Sequence, residues 1–204
     1  TKTALLDFVA RVTEPGGAGF VTEDERIAVF DNDGTLWAEQ PVYFQLLFAI
    51  DRVKAMAPDH PEWNDLQPFK AVLDGDMEAL AASGVHGILE LVMATHAGMT
   101  TDEFQEIVSE WIENARHPQT GKRFTEMTYQ PMHEVLAHLK ANFFKVFIVS
   151  GGGIEFLRVW AESVYRVPPE NVIGSSTRTK YESRNGQPTI VRIDNQGANS
   201  GDSQ

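Results

Sequence analysis

The sequence predicts an α/β fold: a parallel-sheet core with a block of helices inserted after its first strand. Three observations lead there. Ile27 to Phe30 is a short apolar run broken at once by Asp31, Asn32, Asp33 and Gly34, which reads as a buried strand of a parallel sheet ending in a turn. A second junction of this kind, K-V-F-I-V-S-G-G-G, spans Lys145 to Gly153. Between them, from Pro41 to about Ala115, the apolar spacing is helical and shows no convincing strand.

Taken in order, Ala4 to Val12 has helical spacing, and Gly16, Gly17 and Gly19 end that helix. The strand Ile27 to Phe30 and its aspartate turn follow. Val42 to Met56, Phe69 to Ala82, Val85 to His96 and Thr101 to Ala115 read as helices, punctuated by Pro58-Asp59-His60-Pro61 and by Gly98. Thr101, followed by Glu103 and Phe104, marks a helix start. Pro131 to Asn142 is a further helix, Val146 to Val149 the second strand, and Ile154 to Tyr165 a helix closed by Pro168-Pro169. Val172 to Ser175 reads as a third strand. Tyr181 to Arg184 and Pro188 to Ile193 flank Asn185-Gly186, a two-residue hairpin signal.

Ligands of open α/β sheets bind at the carboxyl ends of the strands, where Asp31 and Asp33 lie. Period-two alternation sends both carboxylates to one side of an extended chain. Two like charges so close call for a cation or a shared proton. A calcium loop is excluded: it needs an acid or amide at Thr35, glycine at Leu36 and glutamate at Val42. At the second junction Ser150 precedes three glycines, which let backbone N–H groups approach an anion, although a glycine-rich turn without a ligand has the same composition.

The chain has 204 residues, 42% hydrophobic and 23% charged, with a formal net charge of −12. That is enough for one substantial core with a small insert. The acidic balance argues against nucleic acid as a bulk partner, because phosphate backbones need clustered Lys and Arg. It leaves room for a small phosphate ester held by a metal ion. Cysteine is absent, which excludes disulfides, thiolate metal sites and a cysteine nucleophile. No apolar run approaches the length of a membrane span. No signal peptide is evident at Thr1-Lys2-Thr3, so cytoplasm and periplasm both remain open. The six histidines show no metal-binding spacing. Trp37, Tyr43, Phe44 and Phe48 read either as core or as the wall of a substrate pocket.

The string Ile27 to Trp37 resembles motif I of the haloacid dehalogenase superfamily, whose phosphatase branch carries D-x-D-G-T-L after a hydrophobic strand. An acid at the position of Asp33 marks the phosphoryl-transfer members. Ser150 matches the Ser or Thr of motif II, and the wider segment from Tyr129-Gln130-Pro131-Met132 to Gly153 is similar to the phosphoserine-phosphatase-like subgroup.

The resemblance implies a Rossmann-like core from residues 1–40 and 124–204, incomplete at its C-terminal part, and a helical cap over 41–123. It implies Mg2+-dependent hydrolysis of a small phosphorylated metabolite, with Asp31 as nucleophile, Asp33 as acid and base, and Ser150 on the phosphoryl group. Gly34, Thr35, Gly151 and Gly152 would line the phosphate. The ion would be held by Asp31, the Asp33 carbonyl and an acid from the tail. Gly197 to Gln204 resembles the start of the acidic motif IV, which makes Asp202 the candidate; a flexible polar tail is the alternative. The motif III lysine has one candidate after Ser150, Lys180, which fits an exposed strand lysine better. Two rival readings are a phosphotransferase or phosphomutase of this fold, and a binding module that keeps the fold without turnover.

Overall fold

The computed structural model describes residues 2–184 and 186–193. Asn185 of the hairpin signal and the tail with Asp202 lie outside the described residues. The described chain separates into two units: the residues up to Glu39 together with Arg116–Ser175, and Gln40–Ala115 together with the residues from Ser176 on.

The first unit holds a mixed α/β core, with helices α1 (Lys2–Thr13), α7 (Gln130–Ala141), α8 (Ile154–Arg158) and α9 (Ala161–Tyr165) and strands β1 (Ile27–Phe30), β2 (Lys145–Gly153) and β3 (Val172–Ser175). The sheet is parallel throughout, in the order β1-β2-β3. Its register runs from Ile27↔Lys145 to Phe30↔Ile148, and Ile148 pairs in turn with Val172. Alternation along the strands sends Val146, Ile148 and Val172 into the core.

Ile27, Val29, Val149 and Ile173 share the opposite parity and are 41–59% exposed. The expectation of a buried first strand is therefore corrected. Among the described residues β1 is an edge strand, and only one face of the sheet is covered. The single helix expected over Ile154 to Tyr165 is also corrected. The backbone leaves the helical region at Trp160, φ −126°, and α9 starts anew after it. The break carries the Trp160 ring into the core, where it is 2% exposed.

The second unit comprises α2 (Phe44–Met56), α3 (Phe69–Asp74), α4 (Met77–Ala82), α5 (Gly84–His96), α6 (Thr101–Asn114) and the hairpin β4 (Thr179–Arg184) to β5 (Gln187–Arg192). Its core packs Ile50, Val53, Trp63, Phe69, Val72, Leu80 and Leu91. The helix expected over Phe69 to Ala82 divides in two. Gly75 adopts φ +73°, a left-handed cap that glycine tolerates, and Asp76 then caps α4 by accepting the Ala79 amide at 2.9 Å. At α6 the cap is Thr100, one residue before the expected start. Its hydroxyl accepts the Glu103 amide at 3.0 Å, and the Glu103 carboxylate accepts the Thr100 amide at 2.7 Å.

The hairpin pairs Thr179↔Arg192 through Arg184↔Gln187. Lys180 lies on β4 with its ammonium 2.6 Å from Glu182, an exposed pair on the strand surface. Deeper in this unit, the Arg192 guanidinium lies 4.0 Å from the centre of the Phe104 ring and donates to the His96 carbonyl. Among the described residues no helix is long and apolar enough to cross a membrane.

Candidate functional site

The site begins where β1 stops. Asp31 follows Phe30 directly and is exposed, with Oδ1 accepting the Asn32 amide at 2.7 Å. The chain then folds into a tight turn in which the Asn32 carbonyl accepts the amides of Thr35 and Leu36, at 3.1 and 2.8 Å. Gly34 makes this turn possible at φ +72°. Its N–H donates to the Trp37 carbonyl at 2.9 Å, which brings Trp37 back beside Asp33. The Trp37 Nε1–H donates to Asp33 Oδ1 at 2.7 Å.

Asp33 is half-buried, and burial raises its carboxyl above the usual carboxylate range. The Trp37 hydrogen bond opposes that rise, while the charges of Asp31 and Glu39 add to it. Glu39 lies against the turn: a methyl group placed on Gly34 would sit 2.9 Å from the Glu39 carboxyl carbon. Around Asp33, then, the neighbouring charges are negative, the condition that a bound cation relieves.

An aromatic wall backs Asp33. Trp37 stacks on Trp160 with centroids 4.2 Å apart, and Trp160 meets Tyr165 at 5.7 Å. The Tyr165 hydroxyl is held in its neutral form, first by burial and then by the charge of Asp33. Tyr165, Trp160 and Glu39 are neighbours that sequence reasoning missed. Trp37 is 1% exposed and serves as wall, whereas Tyr43, also a pocket candidate, is 57% exposed in the helical unit. Phe44 and Phe48 are buried, with the Phe48 ring edge-on to His96, Phe104 and Trp111.

Ser150 stands two residues beyond Ile148, which pairs with Phe30, so parallel pairing brings it to the same end of the sheet as the aspartates. It is nearly buried, and its Oγ accepts the Gly152 amide at 3.1 Å. A methyl group on Gly151 would meet nothing within 4 Å, so the backbone there is open to an approaching group. The amides of Gly34, Thr35 and Gly152 are each engaged within the chain. Of the residues expected to line a phosphate, Gly151 has open space where a Cβ would stand, and Thr35 adds a side-chain hydroxyl. β2 runs on through these glycines to Gly153 instead of ending at Val149, with its register to β3 shifting between Val149 and Gly153.

Asp31 and the Asp33 carbonyl supply hard oxygen donors, which suit Mg2+ in kind. Among the described residues no three acidic or histidine side chains gather into a metal site, and the third expected ligand, Asp202, lies outside them.

The family model for haloacid dehalogenase-like hydrolases matches residues 28–197, and the chain belongs to that family. No protein of curated function matches the chain. Among solved structures it is similar to a phosphoserine phosphohydrolase-like protein from Francisella tularensis subsp. tularensis SCHU S4, at 18% identity and a TM-score of 0.40, over 85% of this chain and 67% of that one. It is also similar to a cytosolic 5'-nucleotidase IIIB bound to cytidine, at 16% identity and a TM-score of 0.40, over 94% of this chain and 57% of that one. The chain thus spans little more than half the length of the nucleotidase.

Proposed function

We propose that the chain is a Mg2+-dependent phosphatase that hydrolyses a small phosphate monoester through an aspartyl-phosphate. The observation that carries this reading is the pair at the end of β1: an exposed Asp31 and, two residues on, a half-buried Asp33 whose carboxyl is raised. Two carboxyl groups in contrasting environments are what a nucleophile and an acid require of one strand end.

In this scheme the Asp31 carboxylate attacks phosphorus as the ester P–O bond breaks, and Asp33 gives its proton to the departing alkoxide. Asp33, now ionised, takes a proton from water. The water oxygen attacks phosphorus, Asp31 is released and inorganic phosphate leaves. Ser150 Oγ donates to an equatorial oxygen, with Gly151 and Thr35 beside it. The Asp31 carboxylate and the Asp33 carbonyl would hold Mg2+, with Asp202 as the expected third ligand, and the ion would supply charge neutralisation between a carboxylate and a phosphate dianion. We assign the helical insert the part of a cap and the choice of substrate.

The test is release of inorganic phosphate from a panel of phosphate monoesters, with Mg2+ and with no acceptor alcohol. Release that Asp31→Asn abolishes supports the scheme. Transfer that occurs only when an acceptor is supplied points to a phosphotransferase instead, and a folded chain that releases nothing from any ester points to a binding module.

A further inference from the structure

We infer that Trp37 is a positioning residue for Asp33, reserving one carboxylate oxygen so that the other carries out the proton transfer. The inference rests on the phosphatase reading above. The Trp37 Nε1–H meets Asp33 Oδ1 at 2.7 Å, the short end of the N–H···O range and typical of a charged acceptor. An indole nitrogen is a donor only. It cannot receive a proton from Asp33, and it occupies Oδ1 in either protonation state. A neutral Asp33 therefore carries its proton on Oδ2, and Oδ2 is the oxygen that gives it to a leaving group and later takes one from water.

The donor is fixed in place. The Trp37 carbonyl accepts the Gly34 amide at 2.9 Å, and Trp37 bridges to Thr128 across the chain. Its ring is buried and stacked on Trp160, which Tyr165 backs in turn. A ring so enclosed cannot swing away, and the carboxylate it holds loses rotational freedom about its terminal bond before substrate arrives.

The deciding variant is Trp37→Phe, which keeps a ring in the stack and removes the N–H. With an alkyl phosphate kcat should fall about 10- to 100-fold, the weight of one hydrogen bond to a charged group, while KM changes less than about 3-fold. The loss should shrink for phosphorylation by an aryl phosphate, whose leaving group needs little acid help. In an Asp33→Asn background Trp37→Phe should cost no further activity, because a residue acting through Asp33 has nothing left to act on. Multiplicative losses in the double variant, or equal losses for both leaving groups, would overturn the inference in favour of plain packing.

A second measurement needs neither turnover nor a stable Trp37→Phe protein. The indole N–H resonance of Trp37 should move upfield in Asp33→Ala, and an unmoved resonance overturns the hydrogen bond itself. Failure of the wild type to release phosphate overturns the phosphatase reading, and with it this role. An unmoved resonance in an active wild type overturns only the role of Trp37.

Discussion

Replacing Asp33 with asparagine separates chemistry from stability, and the structure states both expectations. The amide keeps the shape of the carboxyl and still offers Oδ1 to the Trp37 indole, so the 2.7 Å hydrogen bond and the turn behind it survive. What disappears is the proton. General acid–base catalysis contributes about 10²- to 10⁴-fold, or about 3–5 kcal/mol of barrier, and turnover of an alkyl phosphate should fall by that factor. Burial raises the Asp33 carboxyl, and Asp31 and Glu39 raise it further. Between the ordinary carboxylate pKa and the raised one, the folded chain keeps a proton that the unfolded chain has released. Stability is thus present at low pH and is lost as pH rises through the folded-state pKa. Asparagine is exempt from this loss. The Tm of Asp33→Asn relative to wild type should therefore climb from acid to neutral pH, while activity is lost. Calorimetry across that range measures the first, and rapid quench with an aryl phosphate the second, where the aspartyl-phosphate should accumulate because its hydrolysis has lost its base. Wild-type turnover of alkyl esters by a folded Asp33→Asn protein would refute the acid–base role. A Tm difference independent of pH would refute the burial argument.

Three further outcomes are expected. Asp31→Asn should reduce phosphate release by several orders of magnitude with the far-UV circular dichroism unchanged, since Asp31 lies exposed beyond the end of β1; quenched samples should contain no phosphoenzyme. A chelator should abolish activity and Mg2+ restore it, with Ca2+ a poor substitute because its coordination is larger and looser; turnover indifferent to chelation would count against the oxygen-ligand site. His96 is buried, and desolvation first, then Arg192 and Arg52, hold its imidazole down to about 3. The unfolded chain takes up that proton as pH falls below about 6.5 and the folded chain does not, so stability should drop across this window, by an amount on the order of a few kcal/mol at most. His96→Phe should flatten the dependence in acid-titrated melts, and an unchanged slope would place the titrating group elsewhere.

The parts of the molecule that sequence made legible are those written locally. The strand Ile27–Phe30 and its aspartate turn depend on residues within a few positions of one another, as do Ser150 with its glycines and the hairpin around Gly186. Asp31 and Asp33 could be singled out because a strand end and two acids at a spacing of two already define an electrostatic problem. The wall behind them could not be read. Trp160 and Tyr165 reach Trp37 only through the packing of the first unit, and the break at Trp160 that seats its ring has no signal in a segment without glycine or proline. The division at Gly75-Asp76 was legible in principle, as a left-handed glycine followed by a capping aspartate, but the helical periodicity running through both halves masks it. The exposed parity of β1 was hidden for a related reason. A run of apolar residues states that a strand prefers cover, not which of its faces has it.

The stacked indoles have an optical consequence. Two of the four tryptophans, Trp37 and Trp160, lie 4.2 Å apart with planes inclined by 26°. At that separation their transition dipoles couple, so the pair should give a split, exciton-type band in circular dichroism that neither ring gives alone. The other two, Trp63 and Trp111, belong to the helical unit, Trp63 stacked on Phe69 and Trp111 edge-on to Phe48. The chain thus carries a separate chromophore in each unit. Loss of the coupled band reports the disassembly of the wall behind Asp33, while the remaining indole emission follows the helical unit. The order in which the two units melt can then be read without attaching a label.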